Sequence, residues 1–487
     1  MENCMVTFLP SGISLRVNRG TTLLQAQIAA GLHPDAPCGG KGTCGKCQVL
    51  EEGQLVPACQ TRVEADMTVT LLTGQNLNIL TTAQEILWPA DGDAPYVAAF
   101  DIGTTTLVAF LLDGRRGTCL ATTSAMNPQI AYGADVIARI QAVTEQKANL
   151  QGCILPVLGD MLDKLSAEAG IRRENIFRIT LVGNTAMHHL LLGFDPSPLV
   201  TPPYMPKQTS AIERPATDLL PIHPEGVLRI LPNIAGFVGA DTVGCLVAAR
   251  FGELDELTLM IDIGTNGEMV LGDKHRRIAC STAAGPAFEG AKISQGMRGF
   301  PGAIDHVTLE GGEIRCHVLG GGEAKGLCGS GLLDLVACLL EAGLLDESGY
   351  LPGKIYTIPG TTVSLTQGDV REVQLAKAAI RAGIELMCEH LGGAPADIRR
   401  VLLAGAFGNY LNPPSACRIG MIPPVLEDRI VPIGNAAGEG AKACALSRAA
   451  FVESQRLAAE TEFLELASKP AFQDRFVDAL EFEEESL

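Results

Sequence analysis

The chain has 487 residues, 47% of them hydrophobic and only 5% aromatic, and carries 55 Asp and Glu against 37 Lys and Arg. That length exceeds what one hydrophobic core usually serves, so at least two domains are expected, and an interior built from Ala, Val, Ile and Leu favours an α/β class. A net charge of -18 leaves no large electropositive surface for a phosphate backbone, which excludes nucleic acid as a partner.

No apolar run reaches the roughly 18 residues needed to span a bilayer. Met1 to Leu9 also lacks the basic start and long apolar stretch of a signal peptide. A cytoplasmic protein with no membrane partner is therefore expected. The 15 cysteines, an odd number in a long chain, read in a reducing compartment as metal ligands plus buried thiols.

The chain opens with strand-like runs at Met5 to Leu9 and Ile13 to Val17, then a helical pattern opened by Thr21 and Thr22 through Leu24, Ile28 and Ala29. A Gly- and Cys-rich loop from Cys38 to Cys47 and a further strand, Thr68 to Leu72, complete a β-grasp order. A polar, Pro- and Gly-containing stretch ends near residue 95. The expected division is a β-grasp domain at 1–75, a linker at 76–95, a first lobe at 96–256 and a second lobe at 257–487 with a helical, acidic, solvated tail. Within 96–450 short apolar strands alternate with helical segments, the pattern of a sheet covered by helices. Ala99 to Thr105 (AFDIGTT) is echoed by Met260 to Asn266 (MIDIGTN), which suggests two related halves.

Cys38, Cys44, Cys47 and Cys59 follow the spacing C-x5-C-x2-C-x11-C. Four thiolates gathered by a Gly-rich loop can hold two irons, the glycines letting the backbone curl round a cluster. Structural zinc is the competing reading, although zinc ribbons usually present two close CxxC pairs. The segment resembles plant-type 2Fe-2S ferredoxin domains, and the resemblance implies those four cysteines as ligands. The gap before Cys59 is shorter than in photosynthetic ferredoxins, so Cys4 is the alternative fourth ligand. The dispersed cysteines from Cys119 to Cys444 are expected to be small buried hydrophobes.

An Asp ending an apolar strand, followed by Gly-Thr-Thr-Thr, makes a tight hairpin whose amides and hydroxyls can surround phosphate while the carboxylate holds Mg2+ through water. Alone, Asp101 to Thr106 is also an ordinary turn. With the second copy, Asp262 to Glu268, two hairpins can clamp a triphosphate from both sides. Val401 to Gly408 adds a buried strand running into a Gly-rich turn where a base and ribose can lie.

In this order the three segments resemble the phosphate-1, phosphate-2 and adenosine motifs of the superfamily of actin, sugar kinases and heat-shock chaperones. The resemblance implies an actin-like ATPase domain of two related lobes. It gives ATP contacts to Gly103, Thr104, Thr105, Thr106, Gly264, Thr265 and Asn266, and Mg2+ contacts to Asp101 and Asp262. Gly405, Ala406, Phe407 and Gly408 would line the adenosine. Gly434 to Gly440 looks like the helix crossing between the lobes, or like plain helix packing. Glu268 and Glu289 are the carboxylates placed to orient a hydrolytic water, and each can equally form a salt bridge. The adjacent histidines His188 and His189 read as packing or capping groups before metal ligands.

The whole layout is an α+β β-grasp ferredoxin-like domain followed by an α/β actin-like ATPase domain. With the segments Leu181 to His189, Gly285 to Ala291 and Cys328 to Leu332, it resembles the ATP-dependent reductive activators of corrinoid proteins. That resemblance implies a 2Fe-2S cluster, ATP and Mg2+ as cofactors, and one-electron reduction of Co(II) to Co(I). It implies a corrinoid protein as electron acceptor and an unidentified low-potential electron donor, with a homodimer as one option for assembly. The chain departs from longer members in the short stretch between Cys59 and Asp101 and in having no C-terminal CxxC pair. The alternatives are an ATP-dependent activator of another metalloenzyme, such as a dehydratase, and a non-enzymatic redox and nucleotide sensor. A small-molecule kinase would need no cluster.

Overall fold

The computed structural model describes residues 3–9, 11–32, 34, 36, 40, 42, 47–51, 53–71, 88–264, 266–282, 284–290 and 292–483. The expected ligands Cys38 and Cys44, the expected phosphate contact Thr265 and most of the expected linker lie outside these residues.

The N-terminal sheet contains β1 (Asn3–Leu9), β2 (Ile13–Asn18), β3 (Gln48–Glu51), β4 (Gln54–Pro57) and β5 (Met67–Leu71), in the order β2-β1-β5-β3-β4. β1 and β5 run parallel, with Val6 opposite Met67. The helix Leu23–Ala29 packs over this sheet, its Leu23, Leu24 and Ala26 meeting Val6, Phe8, Val49 and Val69 in one core. It starts where the sequence places its cap: the Thr22 hydroxyl accepts from the Gln25 N–H, and the Gln25 side chain accepts from the Thr22 N–H. The structure adds the β3–β4 hairpin, to which the sequence pattern assigns no element.

The next sheet holds β6 (Tyr96–Ile102), β7 (Thr106–Asp113), β8 (Cys119–Met126), β9 (Ile176–Gly183), β10 (Ile212–Pro215) and β11 (Val227–Ile230), ordered β10-β11-β9-β6-β7-β8. A third sheet starts with β12 (Thr258–Ile263), β13 (Gly267–Gly272) and β14 (Arg277–Thr282). Between these and the rest of the sheet, the chain makes a small three-stranded sheet, β15 (Ala303–Glu310), β16 (Glu313–Val318) and β17 (Gly326–Leu327), and a hairpin, β18 (Ile355–Thr357) with β19 (Ser364–Thr366). β20 (Arg400–Ala404), β21 (Ile430–Gly434) and β22 (Thr461–Phe463) then complete the order β21-β20-β12-β13-β14-β22.

Two halves emerge from strand order alone: β8-β7-β6-β9-β11 corresponds to β14-β13-β12-β20-β21. In both, the first three strands are antiparallel neighbours and the last two join in parallel. Each half has its own core, and another core joins them. In the shared core Val97, Phe110 and Val243 meet Met260, Val270 and Leu402.

The helix Ala436–Leu446 leaves the end of β21 in the second half and packs on β6 and β9 of the first. It also lies against the helix Ala240–Ala248, where a Cβ on Gly440 would fall 2.0 Å from the Gly244 carbonyl oxygen. Only a residue without a side chain allows the two backbones to come so close. Gly434 itself ends β21, so the helix begins two residues later than the glycine-rich run.

Residues from the expected linker are tied to the far ends of this helix pair. The Trp88 indole donates to the Val247 carbonyl at 3.2 Å, and the Asp91 N–H donates to the Leu446 carbonyl at 3.0 Å. The C-terminal segment differs from the expected solvated end. β22 pairs in parallel with β14, and Phe482 is buried with the Lys377 ammonium 5.2 Å above its ring. Among the described residues no helix is long and apolar enough to cross a membrane.

Candidate functional site

Asp101 and Asp262 hold the same place in the two halves, each the second-last residue of its strand. Their neighbours Phe100, Ile102, Ile261 and Ile263 point into the cores. Side chains alternate along a strand, so both aspartates point the other way, into the space between the halves. That space is a cavity of about 300 Å³. Asp101, Gly103, Thr104, Thr105 and Thr106 line it from the first half, and Asp262, Gly264, Asn266 and Glu268 from the second.

The turns are tight. The Gly103 N–H donates to the Thr106 carbonyl at 3.0 Å, and the Gly264 N–H to the Asn266 carbonyl at 2.9 Å. Glu289 also lines the cavity and accepts from the Thr105 hydroxyl at 3.3 Å, a contact that spans the two halves. The Gly-rich segment after β20 is a short helix, Gly405–Tyr410, rather than an open turn. Gly405 sits at φ +84, and a Cβ there would lie 2.6 Å from an Asp262 carboxylate oxygen. Phe407 lines the cavity and stacks on Phe288 with ring centroids 5.1 Å apart. Gly408 faces Leu403 of β20 instead of the cavity.

Three helices present their N-terminal ends here: Ala240–Ala248 through Asp241, Gly329–Glu341 through Cys328, Gly329 and Ser330, and Ala436–Leu446 through Asn435 and Ala437. The positive end of each helix dipole favours an anion at this place, although some first-turn amides are already taken, Ala240 by Asn233, Thr242 by Asp241 and Gly438 by Asn435. Asp241 is a site residue that the sequence reading does not single out. It is the one charged residue of an otherwise buried, apolar helix, and that contrast is the signal that could have marked it. Asn184 is another: it caps the helix Thr185–Leu192 and donates to the Thr104 hydroxyl at 2.8 Å.

The carboxylates crowd one another. Burial, then the charge of Asp262, pushes Asp101 up to about 7, against a hydrogen bond from Asn435. The same two causes push Asp241 up to about 7. Burial raises Asp262 to about 6, partly offset by the Cys245 thiol, which donates to it. Glu268 is raised by burial, then by Asp241 and Asp262. A divalent cation between the halves would relieve this repulsion, although among the described residues no three of these carboxylates converge closely enough to hold an ion directly.

A pH dependence follows for the chain kept free of divalent cations. Between the ordinary Asp value of 3.8 and the raised values of about 6 and about 7, the folded state holds protons that the unfolded state has released. Stability contributed by these groups therefore falls as pH rises through that window. In urea unfolding with a chelator, the midpoint is expected to drop from pH 4 to pH 7, and Mg2+ with ATP is expected to remove most of the drop. A midpoint unaffected by Mg2+ and ATP at pH 7.5 would contradict it.

In the N-terminal domain Cys47 and Cys59 are both buried and flank the β3–β4 hairpin, joined by an Ala58 N–H to Cys47 carbonyl bond of 2.8 Å. A Cβ on Gly40 would be 4.0 Å from the Cys59 Cβ, so Gly40 lies close to Cys59. The Gln60 side-chain amide points at the Cys59 sulfur, with nitrogen and sulfur 3.7 Å apart, as suits a thiolate ligand. Cys4 is buried in β1. Most of the dispersed cysteines are buried as expected, but Cys119 is exposed at the start of β8, an edge strand.

His189 is fully engaged: its Nδ1 lies 2.7 Å from the Thr185 carbonyl, and its Nε2 accepts from the Lys207 N–H. His188 is buried against Asn233, and burial pushes it down to about 4, so it stays neutral.

Fold and site together define a protein with a ferredoxin-type iron–sulfur domain followed by an actin-like nucleotide-binding domain. Residues 6–70 match the 2Fe-2S iron-sulfur cluster binding domain, 96–253 the RACo middle region, and 256–487 the C-terminal domain of RACo, the ASKHA domain. The chain is 36% identical over 413 residues to the corrinoid activation enzyme RamQ of Eubacterium limosum, covering 78% of this chain and 69% of that one. It is 33% identical over 261 residues to the Co(II) methylated amine-specific corrinoid protein reductase of Methanosarcina barkeri, covering 49% of this chain and 46% of that one. The solved structure of a reductive activator for corrinoid, iron-sulfur protein is similar at a TM-score of 0.71 and 29% identity over 98% of each chain. The chain belongs to the family of reductive activators of corrinoid proteins.

Proposed function

We propose that this chain reduces the Co(II) form of a corrinoid protein to Co(I), using one electron from a low-potential donor and Mg-ATP. The observation that carries this reading is the joining, in one chain, of a ferredoxin-type domain to a two-hairpin nucleotide cleft, in a layout similar end to end to a solved reductive activator.

Cys38, Cys44, Cys47 and Cys59 hold the 2Fe-2S cluster, which supplies a one-electron carrier near about -400 mV. In the cleft Asp101 and Asp262 hold Mg2+ through water. The turns Gly103 to Thr106 and Gly264 to Asn266 surround the phosphates, and Gly405, Ala406 and Phe407 flank the adenosine. Gly408 supports that segment by packing on β20. Asp241 joins Glu268 and Glu289 as carboxylates able to orient a hydrolytic water. ATP hydrolysis is the expected source of drive: each ~59 mV of uphill one-electron transfer costs about 1.4 kcal/mol, within reach of nucleotide-linked closure of the two halves.

The test mixes the holoprotein, a low-potential reductant and a Co(II) corrinoid protein, with and without Mg-ATP, and follows Co(I) absorbance. Co(I) is expected only with ATP. Equal Co(I) formation without ATP, or none in either case, would overturn the reading.

A further inference from the structure

The turn of the first half is held from behind. The Asn127 side-chain amide donates to the Gly103 carbonyl at 2.8 Å, and the Asn127 backbone N–H donates to the Thr105 carbonyl at 2.9 Å. Between them, the Arg139 guanidinium donates to the Thr104 carbonyl. Three successive carbonyls are therefore engaged on the side away from the cavity, which neither Asn127 nor Arg139 lines.

In a trans peptide the carbonyl and the following N–H point in opposite directions. Fixing the Gly103 and Thr104 carbonyls rearward aims the Thr104 and Thr105 amides forward. Among the described residues neither amide has an acceptor. An anion-binding turn needs this arrangement, since a carbonyl turned toward phosphate would repel it.

Arg139 adds charge to geometry. It is fully buried, and its remaining partners are neutral: the Gly133 carbonyl at 3.0 Å, the Gln129 side-chain oxygen at 3.4 Å and the Met187 sulfur at 3.2 Å. Among the described residues no carboxylate hydrogen-bonds to it, and Glu289 and Asp135 stabilise its charge from a distance. A buried cation without a paired anion is costly. Phosphates in front of the Thr104–Thr105 peptide would add negative charge, at one peptide's remove, to that of Glu289 and Asp135 nearby.

We propose that Arg139 is a positioning residue for the nucleotide's phosphates, holding the Thr104–Thr105 peptide with its amide forward and placing a buried positive charge behind it. The inference rests on the nucleotide reading given above. It assigns Arg139 no contact with ATP.

The test compares ATP and adenosine affinities by calorimetry on the full-length holoprotein, with melting temperature recorded alongside. Arg139→Gln is expected to weaken ATP binding at least tenfold, about 1.4 kcal/mol, and adenosine binding less than about twofold. Arg139→Lys, which keeps the charge but loses the fork, is expected to fall between wild type and Arg139→Gln. A merely structural role would lower the melting temperature and weaken both ligands alike. An unchanged ATP-to-adenosine ratio in either folded variant overturns the proposal, and if Arg139→Gln does not fold, the ratio in Arg139→Lys decides it. Failure of the wild type to bind ATP would instead overturn the nucleotide reading.

Discussion

Cys59→Ala is expected to remove iron and sulfide from the chain and to lower ATP-dependent Co(I) formation to the rate without protein. ATP affinity should change by less than about twofold, or ~0.4 kcal/mol. Cys59 stands at the end of the β3–β4 hairpin, next to Cys47 and close to Gly40. Its loss leaves three thiolates in place of four and takes away the acceptor of the Gln60 amide. Among the described residues the nucleotide cavity is lined by residues from Asp101 to Ala437, so its amides and carboxylates stay in place. Iron and sulfide analysis, the EPR signal of the reduced protein and ATP calorimetry check the three parts separately. Stoichiometric zinc in the anaerobically purified wild type would remove the basis of the prediction. Iron retained by Cys59→Ala but lost on further replacement of Cys4 would make Cys4 the fourth ligand.

What the sequence makes legible is local. The hairpins at Asp101 and Asp262 can be read because every part lies within a few residues: an apolar strand, an acid near its end and a glycine at the turn. The Thr22 cap is legible for the same reason. Asp241 escapes because it enters the cavity from a helix about 140 residues after Asp101, and only tertiary packing brings the two together. The β3–β4 hairpin escapes because its four-residue strands are too short for alternation to register, and one ends in Pro57. β22 is harder still, three residues that pair in parallel with a strand far back in the chain. The glycines from Gly434 to Gly440 announce close packing without naming the partner, which is Gly244.

Asp262→Asn is expected to separate stability from function. Asp262 is the shared neighbour in the cluster: its charge helps to raise Asp101, Asp241 and Glu268. Asparagine keeps the shape and removes that charge, so the three remaining carboxyls are lowered in part, burial still holding them above their ordinary range. In a chelator at pH 8, above the raised values of Asp101, Asp241 and Asp262, the variant should unfold at higher urea than the wild type. At pH 4 the difference should nearly vanish, because the wild-type carboxyls are then largely protonated. Function should move the other way. A Mg2+ site that loses a carboxylate loses several kcal/mol of charge stabilisation, and each 1.36 kcal/mol is a factor of ten in rate, so ATP-dependent Co(I) formation should fall on the order of 10²–10³-fold. Raising Mg2+ should restore part of the loss. The cluster should be untouched, since Asp262 lies outside the N-terminal domain, so the EPR signal serves as the control. A variant that uses Mg-ATP at the wild-type rate would show that the paired turns are ordinary hairpins and that the crowded carboxylates serve something other than nucleotide.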